Sequence, residues 1–236
     1  MHKILLITRR ELSRYFNSFI AYAVVVLFLV IAGAVFWTTY FDEISVLSLQ
    51  GFFEQAPLYL AFFAPAITMA SFAEERRAGT LELMRTLPVS NAQIVVGKFL
   101  ATMVLLTVVF AMTLPYPYTL SLLGDLDWGA VAAGYVGLLL LGGAYNAIGL
   151  MASSFTRDQV VAILIGFTLC FFLYFLDQLV APASGTVFQL AEYASTSFHF
   201  DSIARGVIEV RSVVYYLSVI TVALVITTVV VDASQR

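Results

Sequence analysis

Charge is what this 236-residue sequence has least of. Only 11% of its residues are Asp, Glu, Lys or Arg, while 61% are hydrophobic. Soluble domains carry about 25% charged residues, so this apolar excess exceeds what one globular core can use. Cysteine occurs once, at Cys170, which excludes a disulfide framework. Histidine occurs only at His2 and His199. No H-E-x-x-H motif is present, and no group of His, Cys and carboxylate has metal-ligand spacing. The serines of "GLMASS" (149–154) have no histidine on a neighbouring inner segment to activate them. "GK" at 97–98 fails as a phosphate-binding loop, because Ala92 stands where glycine is needed and Phe99 where Ser or Thr is needed. The chain is therefore expected to be no enzyme and to hold no metal or cofactor. Nucleic acid is not among its expected partners.

The few charges are placed so as to leave long gaps. Six uncharged runs of at least 18 residues remain: 15–41, 55–73, 99–124, 128–156, 159–176 and 212–231. A helix crosses the hydrocarbon with about 20 apolar residues. A charge at mid-bilayer is penalised by about 2.5 kcal/mol or more, so uncharged runs of this length are selective. The sequence predicts an all-α integral membrane protein, one polytopic domain over 1–236. Its spans are expected at 18–41, 55–73, 94–123, 129–152, 159–177 and 213–231. Ten of the 12 Lys and Arg residues fall on one side if the N-terminus is cytoplasmic, leaving only Arg205 and Arg211 outside. Both termini are then expected in the cytoplasm. The basic start and "AGA" at 32–34 imitate a signal peptide, but the apolar run outlasts an h-region of about 7–15 residues. No buried ionisable residue is expected at mid-membrane, which disfavours an ion-coupled carrier.

Local patterns fill in the rest. Residues 1–17 read as an interfacial helix, with Leu5, Thr8, Leu12, Phe16 and Phe19 on one side and Lys3, Arg10 and Arg14 opposite. Pro65 is expected to kink span two, and Pro115 and Pro117 to bend the outer end of span three. Ser90 and Gln93 form a capping box that opens span three, with Val89 and Ile94 as its hydrophobic staple. Lys98, two turns in, is expected to snorkel back to the surface. In span four, Ala130 with Gly134, and Ala133 with Gly137, are spaced for close helix packing. Asn146 reads as an interhelical hydrogen bond. In the outer segment 178–212, Asp201, Arg205 and Glu209 stand four apart like a ladder on one helical face. Phe200, Ile203, Ala204 and Val207 lie beside them, the pattern of a helix resting on the outer membrane surface.

The most polar stretch is "SFAEERRAGTLELMRTLPVSNAQIVVGKF" (71–99), carrying Glu74, Glu75, Arg76, Arg77, Glu82, Arg85 and Lys98 between two apolar runs. Within it, 81–87 reads as a short helix with Leu81, Leu83, Met84 and Leu87 on one arc. Thr80 can cap its start after Gly79, and Pro88 stops it. Seven residues make a helix of roughly 10 Å, too short to stand alone in water. It rests either on lipid headgroups as an ordinary inner loop or against a soluble partner that pushes on the spans.

The stretch "PAITMASFAEERRAGTLELMRTLPVSNAQIVVGKFLA" (65–101) resembles the span-two to span-three region of type-2 ABC exporter permeases. There a Glu-rich turn, "GT-E-L", a "P-V-S" turn and a following Lys mark the coupling helix. "RRELSRYFNSFIAYAVVVLFLVIAGAVFW" (9–37) and "FHFDSIARGVIEVRSVVYYLS" (198–218) resemble the gliding-motility-type branch, although Phe19 stands where that pattern commonly has proline. The resemblance implies a multi-pass subunit of the bacterial cytoplasmic (inner) membrane, paired with a second permease chain. Two cytoplasmic ABC ATPase subunits would bind ATP and Mg and drive substrate export. It implies that the coupling segment 74–90 docks on the ATPase, with Glu74, Glu75, Arg76, Arg77, Gly79, Thr80, Glu82, Arg85 and Pro88 as contacts. It also implies that His199, Asp201, Arg205, Glu209 and Arg211 gate the exit or meet an extracytoplasmic accessory protein. A mechanical or scaffolding subunit driven by the same ATPase, and more remotely a secondary carrier or channel, are the alternative readings.

Overall fold

The computed structural model describes residues 2–42, 49–79, 89–180 and 186–233. Eleven helices and no strand are present among the described residues. Six stretches are long and apolar enough to cross a membrane. They are α2 (Phe19–Asp42), α3 with α4 (Gln50–Thr68, Ala70–Arg77), α5 with α6 (Asn91–Ala111, Pro115–Ser121), α7 (Trp128–Phe155), α8 (Gln159–Val180) and α11 (Val210–Ala233). The remaining helices are α1 (His2–Phe16), α9 (Thr186–Ala194) and α10 (Thr196–Ala204). This is the all-α, six-span architecture that the uncharged runs predict.

Two spans are each made of two helices, for different reasons. Span three breaks at 112–114, and α6 restarts with Pro115 in its first turn, where a missing N–H costs nothing. Span two passes through Pro65 and breaks four residues later, at Met69. The cause is a side chain from α7. The Ser153 hydroxyl donates to the Met69 carbonyl at 2.8 Å and accepts from the N–H groups of Phe72 and Ala73 at 3.0 and 3.1 Å. It therefore occupies the place where the backbone ladder would join Met69 to Ala73, one of the few identifiable causes of a helix bend. The serine with no catalytic partner thus stands in for a backbone bond of span two.

Span two is also longer than its uncharged run. The helical stretch Gln50–Arg77 has 28 residues, about 42 Å at the rise of an α-helix, against about 30 Å of hydrocarbon. Its last turn carries Glu74 to Arg77 past the end of the uncharged run. Gly79, at φ +68°, ends it in a conformation that favours glycine.

α7 is the axis of the bundle and packs on α3, α5, α8, α10 and α11. Small residues make this possible. A Cβ on Gly134 would fall 2.3 Å from the Phe53 ring of α3, and one on Gly137 would fall 2.4 Å from Ile203 of α10. Ala133 is buried beside them, and Ala130 abuts Gly206 just beyond α10. By contrast α2, α8 and α11 present most of their apolar side chains outward, as helices against lipid do.

The described ends of the chain lie at one end of this bundle. The Asn91 side-chain amide, at the start of α5, donates to the Asp232 carboxylate at the end of α11, and α1 lies across α5. At the far end, the surface helix and charge ladder expected over 198–211 are replaced by another arrangement. α10 stops at Ala204 because Gly206, at φ +90°, closes a Schellman motif. Its bonds run from Gly206 N to the Ile203 carbonyl and from Val207 N to the Ser202 carbonyl, both at 2.9 Å. Glu209 thus leaves the face of Asp201 and Arg205, and pairs with Arg211 at 3.3 Å. Phe200, Ile203 and Ala204 are buried, with Phe200 and Ile203 set against Gly137 of α7. An amphipathic pattern alone does not separate a lipid surface from a protein groove; the glycine on α7 decides it.

Candidate functional site

Four charged side chains converge at the end of the bundle that carries the termini. Lys98, on α5, is 1% exposed. Its Nζ donates to Glu75 Oε1 at 2.7 Å and to the Ser71 carbonyl at 2.8 Å, and lies 3.2 Å from Glu11 Oε1. Arg14, on α1, reaches Glu75 at 3.5 Å and Glu11 at 3.7 Å, and donates to the Ala70 carbonyl at 3.3 Å. The node is neutral, two acids against two bases, and it joins three elements: α1, α4 and α5. Lys98 also lies 5.1 Å from the Phe72 ring centroid, a favourable cation–π distance.

Local sequence explains how the charges meet. Lys98 was expected to snorkel outward, yet α1 covers it and supplies Glu11, so the ammonium finds its carboxylates inside. α1 can lie that close because residue 97 is glycine; a Cβ there would stand 2.7 Å from Ile7 Cγ2. Thr8 completes the crossing by donating to the Gly97 carbonyl at 3.1 Å. Tyr15 is hydrogen-bonded to Ser71 at 2.9 Å, and burial pushes its hydroxyl up to about 12. Burial draws Arg14 down, but Glu11 and Glu75 outweigh it and hold the guanidinium above its ordinary value. A buried charge with this many partners is the arrangement that offsets its desolvation.

α1 has a second side. Leu5, Leu6 and Phe16 are open, while Thr8, Glu11 and Tyr15 face the bundle. The expected apolar side is split: Thr8 and Leu12 turn inward with Ile7, Glu11 and Tyr15, while Leu5 and Phe16 share the outer side with Lys3, Arg9 and Arg10.

Above the node, Glu74 and Arg77 are exposed, Arg76 is half-buried and Gly79 is exposed. Glu75, grouped with them as a docking contact in the sequence, points inward to Lys98 instead. Thr80, Glu82, Arg85 and Pro88, with the whole of 81–87, lie outside the described residues. Past them, Ser90 opens α5 with the expected capping box, accepting from Gln93 N while Gln93 Oε1 accepts from Ser90 N. Val89 packs with Ile94 in a small apolar cluster. The segment 78–90 is thus clamped at both roots, one by the node and one by the cap.

The far-end residues do not form a single site. His199 is 2% exposed, with Nε2 3.1 Å from the Tyr193 carbonyl and its ring stacked on Tyr215. Burial lowers its pKa, and Arg211 lowers it further. Asp201, Arg205 and Arg211 are exposed, and Arg211 lies over the rings of Tyr193 and Phe198. Partial desolvation by its neighbours raises the Asp201 carboxyl, with Arg205 opposing. Sequence reasoning missed Glu11, Tyr15, Ser71 and Ser153. The one available signal was "GK" itself, a glycine beside a lysine inside an apolar helix.

Among curated proteins, none gives a significant match to this chain. The family of ABC-2 family transporter proteins matches it over residues 6–234, from α1 through α11. The match takes in the node, the segment above it and all six apolar stretches, and the chain belongs to that family.

Proposed function

We propose that this chain is the permease subunit of an ATP-binding-cassette transporter, non-catalytic itself. It couples ATP hydrolysis by a separate cytoplasmic ATPase, which holds ATP and Mg, to export of a substrate. In this reading the end carrying the node faces the cytoplasm of a bacterial cell, as the Lys and Arg distribution favours. The segment 74–90 is the ATPase contact, with Glu74, Arg76, Arg77, Gly79, Thr80, Glu82, Arg85 and Pro88 on it. Two such chains work together, in the gliding-motility-type branch.

The observation that carries this reading is the buried four-charge node beneath that segment. A push on a floppy loop is lost as loop motion. Here the root of the segment is the last turn of span two, and Glu75 in that turn is locked to Lys98 of span three and to α1. Force applied above the node therefore reaches α1, α4 and α5 as one body. The Ser153 hinge at Met69 then supplies the joint about which that body turns against the rest of span two.

Reversing charge at Arg77 and Arg85 together tests this reading. Insertion in the membrane is expected to persist, and co-purification of the ATPase to be lost. Normal co-purification of the ATPase with the double variant contradicts the docking surface. Substrate-stimulated ATP hydrolysis in reconstituted vesicles then separates an exporter from a subunit that only transmits force.

A further inference from the structure

Asn146 lies in the middle of α7 and is fully buried. Neither its Nδ2 nor its Oδ1 has a hydrogen-bond partner among the described residues. The interhelical hydrogen bond expected of it is absent there. A buried amide whose hydrogen bonds are left unmade is destabilising, and such groups are rare enough to need a reason.

The surroundings show what the amide faces. One turn to either side on the same face of α7 are Gly142 and Gly149. A Cβ on Gly142 would stand 2.4 Å from Leu106 of α5, and one on Gly149 would stand 2.1 Å from Thr68 and 3.0 Å from Pro65 of α3. The seam between α3, α5 and α7 is therefore closed tightly above and below the amide. α5 runs antiparallel to α7, which sets Thr102 at the level of Asn146. Thr102 is fully buried, and its hydroxyl donates to the Phe99 carbonyl at 2.8 Å. α3 runs parallel to α7, and the close approaches of Gly134 to Phe53 and of Gly149 to Pro65 and Thr68 set residues 62–65 at that level. Pro65 has no N–H, so the Ala61 carbonyl, about one turn away, lacks its usual i+4 donor. An amide, a hydroxyl and a released carbonyl thus lie within about one turn of each other inside the apolar bundle.

A seam this tight has no room for a guest, yet its central residue is built to hydrogen-bond. We propose that the α3–α5–α7 seam opens in another state of the transport cycle, and that Asn146 then presents its amide to an uncharged hydrogen-bonding group, a hydroxyl or an amide, of the transported molecule. The proposal rests on the reading of the chain as a permease. An ion is the wrong guest, because nothing at this level offsets the cost of taking a charge out of water. The hinge at Met69 lies one turn beyond Pro65, so rotation of α4 bears on the α3 side of the seam.

Cysteine labelling tests this directly, since Cys170 is the single native cysteine and is buried. Asn146→Cys and, as the control on the opposite side of α7, Ala144→Cys are made in a Cys170→Ala background. Each is co-expressed with the ATPase, and membrane vesicles are treated with hydroxyethyl methanethiosulfonate. Position 146 is expected to react about tenfold faster or more during ATP turnover than without ATP, as a population shift of this kind requires, with position 144 unreactive in both. No reaction at 146, or the same rate with and without ATP, overturns the proposal. If no ATPase co-purifies with the chain at all, the permease reading itself has failed. Asn146→Val, which removes the amide and adds far less volume than leucine to the tight seam, is an independent check by heating. Its midpoint is expected to match that of the unaltered protein, and a clear fall would mean that the amide is already paired in the closed seam, which also overturns the proposal.

Discussion

Removing the ammonium from the node, as in Lys98→Met, is the perturbation whose size the structure fixes best. Methionine keeps most of the stem's volume, so the change is one of charge. Lys98 Nζ is the closest cation to Glu75, at 2.7 Å, and lies 3.2 Å from Glu11. Without it two buried carboxylates face each other with only Arg14 to hold them, and the Arg14 side chain is 34% exposed. Taking one partner from a buried ion pair costs about 3–5 kcal/mol, because the charge left behind is uncompensated. Each kcal/mol moves the midpoint of a 150–250-residue protein by about 2–4 °C, so a fall of roughly 6–20 °C is expected. The assay is the loss of the monodisperse size-exclusion peak of detergent-purified protein on heating. Glu75→Gln added to Lys98→Met is expected to recover part of the loss, since a neutral pair is cheaper to bury than a lone charge. A midpoint for Lys98→Met within about 2 °C of the unaltered protein, less than 1 kcal/mol on this scale, would refute the reasoning.

Three further outcomes follow from the geometry. Ser153→Ala leaves the Met69 carbonyl and the Phe72 and Ala73 N–H groups without the hydroxyl that serves them, and is expected to cost about 1–3 kcal/mol in thermal stability. A labelled pair on α3 and α4 should also report a straighter span two. Gly137→Leu drives a side chain into Ile203 and Phe200, an overpacking cost of about 1–3 kcal/mol; limited proteolysis within 186–204 should speed up, while cleavage at the other end should not. His199 is held below its ordinary pKa by burial, so the opened form takes up the proton first. Stability of the 194–212 region is then full above the unfolded pKa of about 6.5 and declines as pH falls below it. The protection factors of α10 amides, taken relative to their intrinsic exchange rates, should fall between pH 6.5 and 5, and His199→Phe should flatten that dependence.

The six spans were legible because burial in a bilayer leaves a simple mark, a long run without charge. The Ser90 cap was legible because its chemistry is local, all of it within four residues. The node was not, because its members lie in three separate stretches, at 11–15, 71–75 and 98. No helical period links them, and only the crossing of α1 at Gly97 brings them together. Pro65 drew attention as the bend in span two, yet the break sits at Met69, since a hydroxyl from a helix 84 residues away enters the ladder there. The outer ladder of Asp201, Arg205 and Glu209 failed for a local reason that was visible: Gly206 stands inside it. Lys98 misled because a lysine near a span end has two equally physical outcomes, snorkelling or pairing, and the acid that decides between them lies far off in sequence.

A photo-crosslinking amino acid at position 85, in the full complex in its native membrane, measures the central idea most directly. Illumination is expected to join this chain to the cytoplasmic ATPase, and to stop doing so when Lys98→Met loosens the node. Crosslinks confined to the chain's own spans or to lipid, or reaction of a cysteine at 85 with an impermeant reagent added from outside the cell, would contradict the account.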